Sequence, residues 1–183
     1  MPNWCENELK ISGKELDVSS LLEAIRSDRL GDEEPDLIDF NKVIPYPQEY
    51  REKDKIAQEA RDQWHALPED SRPPYSEVVP RDGYNQGGYE WCSRSWGTKW
   101  NACDISLLKD EIKNGRRNVL LYFTTAWSPP EPIVRELANK FPTLNLQLKY
   151  WEGGCGFKGV LEFRKGECVK DQHDNQYRGH RGG

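Results

Sequence analysis

A strict alternation of apolar and polar side chains near the start of the chain constrains the fold more than any other feature. Over residues 4–12, the sequence WCENELKIS places Cys5, Asn7, Leu9 and Ile11 on one side of an extended chain. Glutamate, lysine and serine side chains occupy the other side. A period of two residues predicts a half-buried strand, which ends at Gly13.

The rest of the chain mixes helical and extended patterns in a definite order. Helices are predicted from about 16 to 28 and again after residue 128, where apolar residues recur every three or four positions. Further strands are predicted at 98–108, 118–127, 144–151 and 157–164, the last as a hairpin partner. This order predicts an α+β, ferredoxin-like split βαβ sheet with its helices on one face, plus a C-terminal hairpin strand.

Two segments interrupt the regular pattern. Residues 40–90 predict a long insertion, made of a surface helix over 49–66 and a Pro/Gly-rich loop over 68–90. Residues 169–183 hold few apolar side chains and predict a polar tail. We therefore expect residues 1–183 to form a single ferredoxin-like domain that carries the insertion.

Composition narrows the classes of function. The net charge of −5 is divided unevenly: residues 1–80 hold 10 Lys/Arg and 19 Asp/Glu, net −9, and residues 81–183 hold 16 and 12, net +4. The acidic half argues against nonspecific DNA binding by the whole surface. Apolar runs are too short for a membrane helix, and the N-terminus does not resemble a secretory signal. Five cysteines without a CxxC motif favour a reducing cytoplasm.

Several longer motifs occur in a fixed order along the chain: MPNWCENELKISG, WGTKWNACD, FTTAWSPPEP, KFPTLNLQLKYWEGGCGFKG and YRGHRGG. Together they resemble a family of phage, prophage and conjugative-plasmid proteins described as YubB-like, with a ferredoxin-like domain and no assigned function. The resemblance implies a mobile-element origin and a cytoplasmic role in a bacterial host. It supplies no catalytic residue, and the name of the fold implies no iron–sulfur cluster here.

The segment WCSRSWGTKWNACD, residues 91–104, concentrates the candidate binding residues. Trp96, Trp100 and Trp127 are candidates for an aromatic floor, with Lys99 and Asn101 supplying hydrogen bonds. Stacking of a nucleic-acid base on such a ring contributes about 1–3 kcal/mol. The competing interpretation is core packing, because large aromatic side chains bury surface more often than they bind ligands.

The cysteines and histidines of the second half do not form a recognisable catalytic or metal-binding motif. Cys155 lacks a neighbouring base in the sequence, and Cys168, His173 and His180 match no zinc spacing, so we expect no catalytic residue, no metal site and no cofactor. Glu6 and Glu8 occupy outward positions of the first strand, where an RNA-binding sheet of this fold would stack bases. Their charges argue against recognition on that part of the sheet, though not at an edge or in a loop.

These observations favour a non-enzymatic binding module acting on a host protein or a protein–nucleic-acid complex, without a membrane partner. The acidic first half leaves room for mimicry of nucleic acid. Two alternatives remain open. One is an enzyme acting on a nucleotide or small phosphorylated ligand with Lys99, Asn101 and Cys155 near one pocket. The other is single-stranded nucleic-acid binding by the net-positive second half. The oligomeric state also stays open.

Overall fold

A computed structural model describes residues 3–28 and 34–176 of the chain. The strands are β1 (Trp4–Lys14), β2 (Cys103–Lys113), β3 (Arg116–Ala126), β4 (Asn145–Glu152), β5 (Phe157–Arg164) and β6 (Glu167–Asp174). The helices are α1 (Glu15–Ile25), α2 (Phe40–Val43), α3 (Gln48–Ala66), α4 (Tyr75–Val78), α5 (Gly88–Ser95) and α6 (Glu131–Lys140). Among these described residues, no helix combines the length and the apolar character that crossing a bilayer requires.

The six strands form one antiparallel sheet in the order β2-β3-β1-β4-β5-β6. The part β2-β3-β1-β4, with α1 after β1 and α6 between β3 and β4, has the ferredoxin-like arrangement. β5 then pairs with β4 as the predicted hairpin strand, and β6 extends the sheet by one more hairpin. The predicted α+β class and split βαβ sheet are confirmed.

One face of this sheet is buried under α1 and α6. The β1 side chains predicted to point inward, Cys5, Asn7, Leu9 and Ile11, are all 0% exposed. α1 contacts β1 and β3, and α6 contacts β4 and β5. Both helices turn apolar side chains toward this face, which confirms the prediction that the helices lie on one side. The opposite face is called the open face below.

The buried face also holds a polar group at its centre. The amide of Asn7 donates to the carbonyl oxygen of Cys5 at 2.9 Å and to Thr125 Oγ1 at 2.9 Å. The carbonyl oxygen of Phe123 lies 3.3 Å from the same nitrogen and shares one of its two hydrogens. A buried amide is tolerated only when it is hydrogen-bonded in this way, and these bonds link β1 to β3.

Residues Tyr46–Cys92 form a second compact unit. Within it, a β-carbon at Gly83 would lie 2.2 Å from the carbonyl oxygen of Tyr50, so only glycine fits this approach. The ring of Tyr46 meets the ring of Trp91 edge to face, with centroids 5.6 Å apart. Residues 40–45 of the predicted insertion belong to the first unit, where Phe40 is buried.

Strand β2 starts later than the alternation of the sequence indicates. Trp96 lies in a turn and residues 97–100 form bends, with Gly97 at a φ of +81°. Two constraints disfavour a side chain at position 97. The positive φ strains any residue other than glycine, and a β-carbon would lie 2.7 Å from Pro132 Cδ. Trp100 and Ala102 therefore precede β2, and the prediction that the strand begins at residue 98 is wrong.

The predicted polar tail also differs from the structure. Strand β6 extends to Asp174 and so occupies the start of the segment 169–183. It pairs with β5, yet all its residues are exposed, and a strand without a buried face has no reason to alternate. The terminal sequence YRGHRGG lies outside the described residues.

Candidate binding surface

Trp96, the first of the predicted site residues, lies in the core. Its side chain is 4% exposed, and its indole Nε1 donates to the carbonyl oxygen of Ile44 at 2.8 Å. Its ring packs edge to face against Phe40, with centroids 6.0 Å apart. A buried indole with its N–H satisfied is a packing residue, so Trp96 presents no free surface to a ligand.

Asn101 connects two parts of the chain. Its Oδ1 accepts from the backbone N–H of Phe40 at 2.9 Å and from that of Ala102 at 2.9 Å. Its Nδ2 donates to the carboxylate of Asp39 at 2.7 Å. The amide therefore fixes the start of α2 beside the start of β2, and its hydrogen-bonding groups are already in use.

Lys99, Trp100 and Trp127 form a cluster at the surface. The ammonium nitrogen of Lys99 lies 4.0 Å from the centre of the Trp100 ring and 5.6 Å from the centre of the Trp127 ring. Both rings stay in contact with solvent, with Trp100 38% and Trp127 45% exposed. A cation held against two exposed indoles is an attractive surface for a partner that offers aromatic, apolar or anionic groups.

Trp4 joins this cluster, although the sequence did not single it out. Its ring centroid lies 6.1 Å from that of Trp100, and the side chain is half-buried. It shares the outward positions of β1 with Glu6, and the alternation that defined the strand already placed it on the open face. We name Trp4, Lys99, Trp100 and Trp127 the tryptophan–lysine patch.

The end of β3 fixes the position of this patch. Trp127 has a φ of +74°, a left-handed conformation that costs a non-glycine residue about 1–2 kcal/mol. Its backbone N–H donates to the carbonyl oxygen of Asn3 at 2.9 Å, which ties the strained residue to the start of β1. Thr98 Oγ1 donates to the carbonyl oxygen of Ala126 at 2.9 Å, so the turn with Lys99 is tied to the same strand end.

A groove of about 780 Å³ crosses β4, β5 and β6. Trp151 and Lys149 of β4 contribute to its lining, together with Lys158 and Val160 of β5. Its lining includes neither Lys99, Asn101 nor Cys155, the residues that the enzyme hypothesis would bring to one pocket. The sequence missed this groove because its residues come from three separate strands.

The cysteines differ in their surroundings. Burial raises the pKa of Cys5 to about 12 and that of Cys92 to about 11, so both are protonated thiols at neutral pH. Cys155 is exposed, and its Sγ lies 3.7 Å from Asn3 Nδ2. The turn that carries it is held by the buried carboxylate of Glu152, which accepts the backbone N–H groups of Gly154 and Cys155.

The polar side chains of β6 have partners within the protein. His173 Nδ1 lies 3.2 Å from the hydroxyl of Tyr150, and Asp171 pairs with Arg135 at 2.5 Å. Asp174 pairs with Lys158 at 3.6 Å. Over residues 3–28 and 34–176, no group of three or more His, Cys, Asp or Glu residues is arranged to hold a metal ion. His180 lies outside these residues.

The fold defines an α+β protein of the ferredoxin-like class. Residues 95–180, from the end of α5 through β6, match the model of a family described as "Ferredoxin-like domain in Api92-like protein". The whole chain is similar to the crystal structure of a protein api92 from Yersinia pseudotuberculosis, with a TM-score of 0.51 and 14% identity over 98% of this chain and 99% of that one. No curated protein matches the chain in sequence. At this identity, the structural similarity shows the fold alone.

Proposed function

We propose that the chain is a non-enzymatic binding module whose contact surface is the tryptophan–lysine patch. The observation that carries the proposal is the position of Lys99 between two exposed indoles, those of Trp100 and Trp127. Tryptophan is among the residues that dominate the binding energy of many interfaces, because its rigid indole covers a large contact area at small cost in conformational entropy. The partner is a host protein or a protein–nucleic-acid complex.

Of the five residues predicted from the sequence to bind a partner, only three belong to the proposed contact surface. Trp96 and Asn101 serve the interior and the hydrogen bonds between segments, and they leave the proposed contact set for that reason. Lys99, Trp100 and Trp127 remain, and Trp4 enters through its contact with Trp100. Exposed indoles grouped around one cation are costly on a surface that binds nothing, which supports a role in recognition.

The setting of this function is part of the same proposal. The ordered motifs of the sequence resemble proteins of phages, prophages and conjugative plasmids, so we propose a mobile-element accessory protein acting in the cytoplasm of a bacterial host. The match to the Api92-like ferredoxin-like domain supports the fold that this resemblance implies. No reaction is part of the proposal.

Affinity capture from a bacterial lysate, with and without nuclease, tests the patch directly. The double variant Trp100→Ala/Trp127→Ala removes both exposed rings and leaves the buried Trp96 in place. Leu16→Ala is the matched control, because Leu16 is an apolar side chain that is 80% exposed on α1. We expect a specific partner to be retained by the wild type and by the control and to be lost from the double variant.

Folding of each variant is checked by its thermal unfolding midpoint. A partner that both tryptophan replacements leave bound would refute the patch as the contact surface. Sensitivity of the captured partner to nuclease would identify nucleic acid as the bridging component, and resistance to nuclease would identify a protein.

A further inference from the structure

The open face of the sheet brings three lysines into a diagonal line. Lys10 of β1 pairs with Gln147 of β4, Lys149 of β4 pairs with Val160 of β5, and Trp151 of β4 pairs with Lys158 of β5. Each step from Lys10 to Lys149 and from Lys149 to Lys158 crosses one strand and moves two residues along it. Strand geometry puts the Cα atoms of neighbouring lysines on this line about 8 Å apart. All three lysines are exposed.

Trp151 lies beside two lysines of this line, Lys149 and Lys158. It is directly opposite Lys158 across the β4–β5 pair and two residues from Lys149 on the same face of β4. The groove of about 780 Å³ opens over these side chains, with Val160 and the backbone of Gly159 contributing to its lining. An indole next to two ammonium groups matches a nucleotide, whose base stacks on a ring while its phosphate meets a cation.

The groove continues into the tryptophan–lysine patch. Glu6 pairs with Trp151, and Trp4 lies two residues before Glu6 on the same face, so Trp4 and Trp151 are diagonal neighbours. Trp4 in turn contacts Trp100. A path over Trp100, Trp4 and Trp151 therefore offers successive aromatic rings, as binding of a single strand requires.

Acidic residues of the open face border this path, because Glu6 pairs with Trp151 and Glu8 pairs with Lys149. Glu6 and Glu8 lie on β1, and the carboxylate of Glu6 accepts from the hydroxyl of Tyr122 at 3.2 Å. The hydrogen bond draws Glu6 toward Tyr122 of β3, whereas Glu8 is directly opposite Lys149 of β4 and competes with a phosphate for that ammonium group. Asp174 pairs with Lys158 at 3.6 Å in an exposed ion pair, which a phosphate displaces at little cost.

We propose that the open face binds single-stranded nucleic acid, with one base stacked on Trp151 and phosphates at Lys149, Lys158 and Lys10. This inference rests on the proposed binding function, because it extends the same surface and names the class of its partner. It places the nucleic acid over β4 and β5 and over Lys10 of β1, with Glu8 directly opposite Lys149 in the β1–β4 pair. Bases are held by stacking, so the site discriminates single strands from duplexes more than it reads sequence.

Fluorescence anisotropy with labelled oligothymidine and oligouridine of about twelve nucleotides measures this binding, and a duplex of equal length is the comparison. The variants are Trp151→Leu, Trp151→Phe and Lys149→Gln/Lys158→Gln. The matched control is Lys53→Gln/Lys55→Gln, which removes two charges from α3. We expect Trp151→Leu to weaken binding at least about fivefold and Trp151→Phe, which keeps a stacking ring, to weaken it less.

The salt dependence tests the two lysines separately from the ring. Loss of two lysine–phosphate contacts on a single strand makes the negative slope of log affinity against log salt less steep by about 1.4. We expect that decrease for Lys149→Gln/Lys158→Gln and an unchanged slope for the α3 control. An equal loss of affinity in both double variants would show general charge attraction and would overturn the groove as the site.

The outcomes separate this inference from the proposed function. Oligonucleotides that fail to bind below about 100 µM at low salt would overturn nucleic acid as the ligand. The proposed function would survive if a lysate partner still depended on Trp100 and Trp127. Oligonucleotide binding that depends on those two residues but not on Trp151, Lys149 or Lys158 would keep the patch and overturn the groove. An oligoglutamate that displaces the oligonucleotide at equal concentration would overturn the inference as well.

Discussion

The ammonium nitrogen of Lys99 lies 4.0 Å from the centre of the Trp100 ring, and the two side chains are neighbours on a tight turn. The second indole, that of Trp127, lies 5.6 Å from the same nitrogen. A cation–π contact at an exposed site contributes about 0.5–1 kcal/mol. The pair therefore stabilises the turn modestly, and most of its aromatic surface stays available to a partner.

The first prediction concerns the energy of this pair. Replacing Lys99 by Met keeps the aliphatic length and removes the charge, and it should lower the free energy of unfolding by about 0.5–1 kcal/mol. Urea unfolding of Lys99→Met, Trp100→Leu and the double variant measures the coupling between the two side chains. A coupling energy indistinguishable from zero would mean that the lysine is not held by the ring in solution.

The second prediction concerns Gly159, which lies under the groove. A β-carbon there would be 2.2 Å from Tyr150 Cζ, 2.2 Å from its hydroxyl oxygen and 2.7 Å from the carbonyl oxygen of Gln172. The tyrosine ring is buried, and its hydroxyl is bonded to Glu131 at 2.9 Å, so it cannot move aside freely. Gly159→Ala should therefore destabilise the protein by about 1–3 kcal/mol or more.

Two control variants, compared by their free energies of unfolding in urea, test whether a clash with Tyr150 causes that loss of stability. Gly115→Ala meets no atom within 4 Å and carries only the cost of its φ of +69°. Tyr150→Leu removes the ring atoms that the new methyl group would strike, so the cost of Gly159→Ala should fall in that background. An undiminished cost would place the clash elsewhere in the sheet.

The sequence predicted β1, β3, β4 and β5, which bury side chains, and missed β6, which is exposed along its length. The strand predicted at 98–108 overlaps only the first half of β2, which also has no buried residue. β1 alternates because its odd-numbered side chains enter the core, and β5 was placed at residues 157–164, where the structure has it. β6 is exposed along its length, so burial imposed no pattern on its residues. Long-range pairing with β5 forms this strand, and no local signal records that pairing.

The candidate site was predictable only as a set of residue types. Whether a tryptophan packs or binds depends on partners distant in the sequence: Trp96 meets Phe40 and Ile44, while Trp100 meets Trp4. Trp127 is exposed where its backbone turns left-handed at the end of β3. Pairing between strands brings Trp151 and Lys158 together, and sequence spacing does not show such pairing.

The third prediction concerns the five free thiols. Cys155 and Cys168 are exposed, whereas Cys5 and Cys92 are buried with pKa values of about 12 and about 11. Only the thiolate reacts with iodoacetamide, and at pH 8 about one Cys5 side chain in ten thousand is ionised. Native protein should take up two labels quickly, at positions 155 and 168, with Cys103 slower and the buried pair last.

Mass spectrometry of a labelling time course, with and without denaturing urea, measures this order. The variant Cys155→Ser/Cys168→Ser is the control, because it should lose both fast labels and keep the slow ones. Labelling of Cys5 in native buffer at the rate of Cys168 would contradict the burial of β1.

The last prediction concerns the pH dependence of an ion pair that ties β2 to β3. Arg117 donates from Nε to Asp110 Oδ1 at 2.8 Å and from Nη2 to Oδ2 at 2.6 Å, and these hydrogen bonds lower the pKa of the Asp110 carboxyl. A depressed folded-state pKa means that the contribution is present above the unfolded value of about 3.9 and is lost as pH falls through the folded value. The side chains of Arg117 and Asp110 are 21% and 28% exposed, so the pair should contribute about 0.5–1 kcal/mol to the free energy of unfolding at pH 7.

Asp110→Asn should therefore lower the free energy of unfolding at pH 7 by that amount, and the difference from wild type should shrink steadily below about pH 4. Arg117→Lys keeps the charge but loses the two parallel hydrogen bonds, so it should remove part of the same contribution at neutral pH. Urea unfolding across pH 2–8 measures both variants. A deficit of Asp110→Asn that stayed constant down to pH 2 would show that the carboxylate stabilises the sheet by packing and not by its charge.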